Sequence, residues 1–371
     1  MDRYIRKLFR SRNPYDHQQN RDNFFHAMKA ACRDFYQNSN QYRDICKLYN
    51  FNPEQLKSEE DLYNIPVIPT SYLKRNDISV EHSSFVEVTS SGTSGKVSNI
   101  SYSPLEILLL AGMAIRLGKI HRLFSMKPTH YIMLGYQPTR ENKTVISKTA
   151  TLSSLYALPV SRRYALTYKN GKYQLNLEAL LKRTMDLAQK KTAVRIIGFP
   201  SYLYFLLEKM QEANLSCCLP KGSKILLGGG WKQFSSQEIS KDELYALAKQ
   251  TLGIGQENIH EFFGAAEHPV LYCTCKNHHF HIPSYARVVI RDVKTLEPLD
   301  KGETGLINLM TPVHSSIPIM SIVTDDLGCI HSHEECGCGN PGDYLEILGR
   351  VGVQDVKTCS AGAKEILEGG V

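Results

Sequence analysis

The sequence predicts an α/β protein in which a layered core of alternating strands and helices is followed by a β subdomain from about residue 270. Three observations predict it. Short β-rich runs alternate with helix-spaced segments between residues 105 and 252, the pattern of a layered α/β core. From Val270 onward strand signals dominate, punctuated by Gly302, Gly305 and Pro312. Before residue 65, Phe24, Phe25, Met28, Ala31 and Cys32 recur at helical spacing with no strand signal.

Taken in order, residues 1–65 read as helical, and Pro66-Val67-Ile68-Pro69 forces an extended connection, because proline restricts both itself and the residue before it. Phe85–Val88 and Asn99–Tyr102 read as two strands joined by a loop. Leu105–Leu123 is expected as a helix, Tyr131–Leu134 as a strand, Leu177–Gln189 as a helix and Val194–Ile197 as a strand. Tyr202–Gln211 follows as a helix, Ile225–Leu227 as a strand and Leu244–Leu252 as a helix. Val288–Asp292, Leu306–Met310, Ile319–Val323 and Leu345–Leu348 are expected as strands of the β subdomain. The expected organisation is a helical segment at 1–75 packed on the core, the α/β core with its β subdomain at 76–350, and a hinge with a short tail at 351–371.

With 371 residues, 42% of them hydrophobic, the chain can bury a large core. No Pro/Gly/Ser-rich spacer, charge block or repeat marks a linker. The net charge of +7 is spread among scattered lysines and arginines, which argues against nucleic acid as a partner and suits ATP, CoA or an acidic carrier protein. Ten cysteines without an apolar leader after Met1-Asp2-Arg3-Tyr4 point to reduced thiols in the cytoplasm. The longest apolar segment, Leu105 to Gly118, is broken by Glu106 and Arg116 and is too short to span a bilayer. Arg3, Arg6, Lys7 and Arg10 beside Tyr4, Ile5, Leu8 and Phe9 fit a plain terminal helix better than a membrane-surface one.

Thr89-Ser90-Ser91-Gly92-Thr93-Ser94-Gly95-Lys96 is the segment richest in chemistry. Glycines without Cβ let successive N–H groups turn toward one anion, hydroxyls donate further hydrogen bonds, and the lysine adds positive charge. It is not a Walker loop: two residues separate Gly92 from Gly95 where four are required, and no Ser or Thr directly follows Lys96. A Ser/Gly-rich surface linker is the ordinary alternative.

The octet resembles the phosphate-holding signature loop of the adenylate-forming superfamily, which includes acyl-CoA synthetases and peptide-synthetase adenylation domains. Phe262-Phe263-Gly264-Ala265-Ala266-Glu267 resembles that superfamily's aromatic-Gly-x-x-Glu motif, Val323-Thr324-Asp325-Asp326-Leu327 its Thr-Gly-Asp motif, and Gly349-Arg350 through Lys357 its hinge. Glu267-His268-Pro269, His278-His279-Phe280-His281, Tyr285 to Asp292 and Cys336-Gly337-Cys338-Gly339 are most similar to the acyl-protein synthetases of bacterial fatty acid reductase and to phenylacetate-CoA ligase. The implied fold is the large N-terminal domain of the superfamily, with the mobile C-terminal domain largely missing.

The resemblance implies ATP-dependent activation of a carboxylic acid, fatty or aryl, as an acyl-adenylate, followed by transfer to a thiol. Thr89, Ser90, Ser91, Gly92, Thr93, Ser94, Gly95 and Lys96 would cradle the β- and γ-phosphates. Glu267 would bind Mg²⁺, a hard cation that prefers carboxylate oxygen. Asp326 would accept from the ribose hydroxyls, Arg350 would sit close to ribose and hinge, and Gly228-Gly229-Gly230 would let the backbone approach adenine. Taken singly each residue has an ordinary reading: Glu267 a surface acid, Asp326 a turn former, the glycines a tight turn after a buried strand. Tyr202, Phe205, Trp231 and Phe263 are candidates for an apolar acyl wall.

Two Cys-x-Cys pairs, Cys273/Cys275 and Cys336/Cys338, suggest a structural Zn²⁺ site, because thiolate is a favoured zinc ligand. The resemblance to the phenylacetate ligases allows His281 in place of one thiolate, and incidental buried thiols are the alternative. It also implies an acceptor cysteine near the C-terminus, which Cys359 matches, with Lys357 near enough to favour its thiolate; a spectator cysteine is the plain reading. A typical member's C-terminal lysine has no assignable equivalent here. Transfer onward would need an acyl-CoA reductase or carrier protein. The alternatives are an acyl- or aryl-CoA ligase of the phenylacetate type, using CoA, and a nucleotide- or carrier-binding module with reduced catalysis that requires a partner chain.

Overall fold

A computed structural model of the chain describes residues 3–76, 78, 86–89, 99–139 and 152–350. In chain order the elements are α1 (Arg3–Arg10), α2 (His17–Asn38), α3 (Asn40–Leu48), β1 (Ile68–Pro69), α4 (Thr70–Leu73), β2 (Val86–Thr89), β3 (Asn99–Tyr102), α5 (Pro104–Ile120), β4 (Ser125–Tyr136), β5 (Ala157–Lys169) and β6 (Lys172–Leu175). There follow α6 (Leu177–Ala188), β7 (Ala193–Gly198), α7 (Pro200–Glu212), β8 (Lys224–Gly228), α8 (Lys241–Leu252), β9 (Ile259–Ala265), β10 (His268–Cys273), β11 (Phe280–His281), β12 (Arg287–Arg291), β13 (Gly305–Met310), β14 (Ser321–His331), α9 (His333–Cys336) and β15 (Tyr344–Arg350). They fall into two compact units, Met1–Ile115 with Gly264–Val371, and Arg116–Phe263. The boundaries lie inside α5 and β9, which is why no linker composition marks them.

In the unit Arg116–Phe263 the strands run in the order β9-β8-β7-β4-β5-β6, parallel except for the antiparallel edge strand β6. Val194, Ile196 and Ile225 on β7 and β8 are wholly buried, as parallel strands covered by helices require. Helix α7 turns Leu203, Leu206, Leu207 and Met210 into that core, a spacing of three and four residues that makes one apolar face. Each such leucine contributes about 2 kcal/mol by leaving water. At the end of β7, Gly198 has a φ of +143°, and a Cβ there would sit 2.1 Å from the Leu134 carbonyl oxygen. Glycine therefore permits the close approach to β4 before Pro200 opens α7.

In the other unit an antiparallel sheet runs β12-β13-β14-β15-β11. Strand β1 lies parallel to the start of β14, with Ile68 opposite Ile322 and Pro69 opposite Val323. Helix α2 is capped by Asp16, whose side chain accepts from the Gln19 amide at 2.9 Å, and buries Phe24, Ala27, Met28 and Phe35. Arg287 at the head of β12 lies over the Phe24 ring, 4.0 Å from its centroid, and pairs with Glu59 at 2.6 Å. Phe9 of α1 stacks on Tyr285 with centroids 5.0 Å apart. The helical N-terminal segment is thereby fastened to the β subdomain.

The expected α/β architecture is present, and so is the hairpin, with Val86 opposite Tyr102 through Thr89 opposite Asn99. Several strands depart from expectation. Strand β1 precedes the hairpin because the prolines that force extension also align Ile68 with an open stretch of β14. Strands β5 and β6 were not expected from a segment whose side chains are largely exposed. Strand β14 continues through Asp325-Asp326 to His331, well past Val323. Among the described residues no helix is long and apolar enough to cross a membrane.

Candidate functional site

Thr89 is the last residue of β2, where the octet begins. Ser90, Ser91, Gly92, Thr93, Ser94, Gly95 and Lys96 lie outside the described residues, as do Lys357 and Cys359. The other candidates are placed, and several meet.

Asp326 of β14 lies directly opposite Arg350 of β15 in antiparallel register, so the Thr-Gly-Asp-like motif and the start of the hinge share one cross-strand pair. Its amide donates to Thr324 Oγ1 at 3.2 Å, and Thr324 in turn donates to the Ile307 carbonyl of β13 at 3.3 Å. The neighbouring Asp325 faces Lys74 at 3.7 Å. In the other unit, Gly228 at the C-terminal end of β8 pairs with Phe262 of β9 in parallel register. Gly229 and Gly230 then take φ of +87° and +64°, a turn at the strand edge where open parallel sheets bind ligands. Tyr202, Phe205 and Trp231 belong to one aromatic cluster, with Tyr204 and Phe234 as links between them and Phe199 against Tyr202; Phe263 stands near the end of β9, partly exposed.

Glu267, in the turn between β9 and β10, is 5% exposed. The two carbonyls of this turn are both held: Tyr102 Oη donates to Ala266 O at 2.7 Å, and His314 Nε2 donates to Glu267 O at 3.1 Å. Behind His314 stands Glu106, 1% exposed, whose Oε1 is 3.7 Å from His314 Nδ1. Glu106 accepts from the amides of Ser103 at 2.5 Å and Ser315 at 2.7 Å and from Ser316 Oγ at 2.7 Å. The sequence reading missed this network. Its signal was Ser103-Pro104-Leu105-Glu106, a capping-box pattern with proline at the first helical position. His268 is wholly buried and bonded to Tyr272 Oη at 3.1 Å, and burial pushes its imidazole down to about 3, so it stays neutral.

Burial alone would raise the Glu106 carboxyl, but His314 and the two amides outweigh it and hold the group down at about 2. A carboxyl depressed on folding stabilises the native state above its unfolded value near 4.5, and that contribution is lost as pH falls toward about 2. The effect is on the order of 3 kcal/mol. Glu106→Gln should therefore lower the melting temperature at pH 7, with the gap to wild type narrowing as pH drops from 5 to 3. Calorimetric scans across that range test it, and two parallel acid limbs would rule it out.

A second cluster lies in the β subdomain. Sγ of Cys275, Cys336 and Cys338 and a ring nitrogen of His281 all fall within 4.8 Å of one another. His281 Nε2 is 3.2 Å from Cys336 Sγ and 3.1 Å from Cys338 Sγ, while its Nδ1 donates to the Gly342 carbonyl at 2.5 Å. That donation fixes the tautomer and leaves Nε2 free to ligate. Gly337, with φ of +63°, ends α9 and lets the chain turn back between Cys336 and Cys338. Amides of Asn277 and Asn340 point at Cys275 Sγ and Cys338 Sγ at 3.3 and 3.4 Å. Burial pushes the Cys336 thiol up to about 12, which a bound dication would reverse by taking the thiolate. Three thiolates and one imidazole are a zinc-type donor set. Cys273 lies outside this group: it ends β10 and is 1% exposed, whereas Cys275, whose amide donates to the His279 carbonyl at 2.9 Å, opens the tight turn closed by His278 N to Cys275 O at 3.1 Å.

Two relatives are named long-chain-fatty-acid–luciferin-component ligase. The one from Vibrio harveyi is 28% identical over 337 residues, covering 90% of this chain and 85% of its own, and the one from Aliivibrio fischeri is 26% identical over the same span. Among solved structures, 2-hydroxyisobutyryl-CoA ligase in the postadenylation state superposes with a TM-score of 0.68 at 15% identity, covering 92% of this chain and 69% of that one. Its open conformation gives 0.67 at 16% identity, covering 91% and 76%. The fold is therefore that of the adenylate-forming ligases. Residues 4–367 match the family described as acyl-protein synthetase, LuxE, and with nearly the whole chain inside that match, the protein belongs to the LuxE acyl-protein synthetase family.

Proposed function

We propose that the protein activates a long-chain fatty acid with ATP as an acyl-adenylate and passes the acyl group to a thiol. The match of residues 4–367 to the acyl-protein synthetases carries this reading, and the fatty acid class follows the names of the two bacterial ligases. In the first step the fatty carboxylate attacks the α-phosphorus and pyrophosphate leaves. In the second a thiolate attacks the acyl carbon and AMP leaves. Asp326 holds the ribose hydroxyls with its two oxygens, Arg350 stands opposite it across the strand pair, and the octet from Thr89 to Lys96 meets the outer phosphates. Glu267 supplies a carboxylate suited to Mg²⁺, which when bound neutralises phosphate charge as pyrophosphate departs. Cys275, His281, Cys336 and Cys338 hold a structural Zn²⁺ that pins β11 and the α9 turn together.

Cys359 is the proposed acceptor, with Lys357 favouring its thiolate. The acylated protein then hands the chain to an acyl-CoA reductase or carrier in the cytoplasm. Intact mass after incubation with ATP, Mg²⁺ and a series of fatty acids tests the assignment. The expected result is an adduct equal to the fatty acid minus water, removed by hydroxylamine and absent in Cys359→Ser. Acyl-CoA formed from added CoA without a protein adduct would move the acceptor from Cys359 to the cofactor. The absence of fatty-acid-dependent pyrophosphate exchange would reject the reading altogether.

A further inference from the structure

We infer that Glu106 and His314 are positioning residues which, with Tyr102, hold the Ala266–Glu267 turn so that the Glu267 carboxylate is presented to a divalent cation; this rests on the reading of Glu267 as the metal carboxylate. The contacts form a closed circuit. Glu106 Oε1 lies 3.7 Å from His314 Nδ1, His314 donates to the carbonyl of Glu267, Tyr102 donates to the carbonyl of Ala266, and Tyr102 stands four residues before Glu106. The Tyr102 and His314 rings also stack, 5.8 Å apart at 24°. Because a carbonyl can only accept, the contact at Glu267 O fixes a proton on His314 Nε2.

A helix cap does not require this arrangement. A capping-box glutamate normally serves its own helix from the surface, whereas Glu106 is 1% exposed and spends its oxygens on Ser103, Ser315, Ser316 and His314. Burying a carboxylate is costly unless about four lone-pair sites are answered, and here the answering groups come from the 314–316 loop as much as from α5. The circuit also joins two motifs that sequence separates. Tyr102 ends the hairpin strand β3, paired with the β2 strand in which the Gly/Ser octet begins, Ser103 and Glu106 come just after it, and Ala266-Glu267 belongs to the aromatic-Gly-x-x-Glu motif. His314 faces Glu106 from α5, Tyr102 from β3, His268 from β10 and the Glu267 carbonyl.

The test measures binding by calorimetry on the full chain, using a non-hydrolysable ATP analogue with Mg²⁺ and, separately, in EDTA. His314→Leu is expected to weaken binding of the Mg²⁺ complex about 10-fold or more and to leave metal-free nucleotide binding unchanged. His314→Gln, whose amide offers a donor at similar reach, is expected to recover most of that loss. In pyrophosphate exchange the Mg²⁺ concentration for half-maximal rate should rise in the same order, with the fatty acid KM unmoved. Should His314→Leu fail to fold, Tyr102→Phe removes one hydroxyl and keeps the ring, and it is expected to weaken the Mg²⁺ complex selectively. Wild-type affinity in both His314 variants or in Tyr102→Phe, or equal losses with and without metal, would overturn the proposal. Wild-type protein in which Mg²⁺ adds nothing to nucleotide binding would also overturn it. Selective Mg²⁺ effects in an enzyme that shows no fatty-acid-dependent exchange would instead sink the proposed reaction and leave this positioning role standing.

Discussion

Glu267→Gln should reduce fatty-acid-dependent pyrophosphate exchange about 1,000-fold, close to 4 kcal/mol of transition-state stabilisation. The substitution keeps the side chain's shape at a position that is 5% exposed and whose backbone is held by Tyr102 and His314, so the loss isolates charge from packing. Adenylation separates pyrophosphate, and negative charge grows on the bridging oxygen as it leaves. A carboxylate that fixes a dication beside the phosphates lowers that barrier, and an amide of the same size binds a hard cation far less well. The effect should appear in kcat and in the Mg²⁺ requirement, with little change in fatty acid KM. Glu303→Gln, at an exposed turn, serves as the control and should behave as wild type. Unchanged exchange and unchanged Mg²⁺ dependence in Glu267→Gln would remove Glu267 from the reaction.

The parts of the fold that were legible in sequence are those in which local pattern and final environment agree. The core strands β7 and β8 are short apolar runs because helices cover them, and α7 shows its buried face as a spacing of three and four residues. Strand β5 offers no such pattern. Pro159 sits inside it, Leu158 and Val160 are exposed, and its pairing with β4 shifts register; proline and broken alternation normally argue against a strand. Strand β14 reads as ending at Val323 because two aspartates follow, a residue depleted in strands. There Asp325 is matched by Lys74 and the Asp326 backbone pairs in register with that of Arg350, so long-range contacts supply what local propensity withholds.

The candidate site divides along the same line. Motifs whose spacing is fixed by one loop were readable, as with Cys336 and Cys338 around Gly337. Residues that act through distant partners were not. Glu106 announced itself only as a helix cap, and nothing local told of Ser315, Ser316 or His314 some two hundred residues away. Two Cys-x-Cys pairs look symmetrical on paper, yet one of them crosses the end of a strand. Cys273 stays with β10 while Cys275 stands beyond its end at the start of the next turn, and His281 takes the fourth place beside Cys336 and Cys338.

That asymmetry makes the metal site the second test with a large expected effect. Purified protein should carry about one zinc per chain, Cys336→Ser should carry almost none, and Cys273→Ser should keep it. Cys336 is the member that touches Cys275 at 3.6 Å as well as His281, so its loss breaks both halves of the donor set. Structural zinc sites of this kind bind with about 10–16 kcal/mol. Forfeiting even about 4 kcal/mol of native stability would lower the melting temperature by roughly 5–10 °C in a chain of this size. Four protein donors leave no open position for a water or substrate, so the folded fraction of Cys336→Ser should retain pyrophosphate exchange per folded molecule. The site would thereby be separated from the reaction it supports, since stability falls while turnover holds. Equal zinc in wild type and Cys336→Ser, measured by elemental analysis alongside the thermal scans, would refute the site; so would wild-type protein, expressed with ample zinc, that contains none and melts the same with and without chelator.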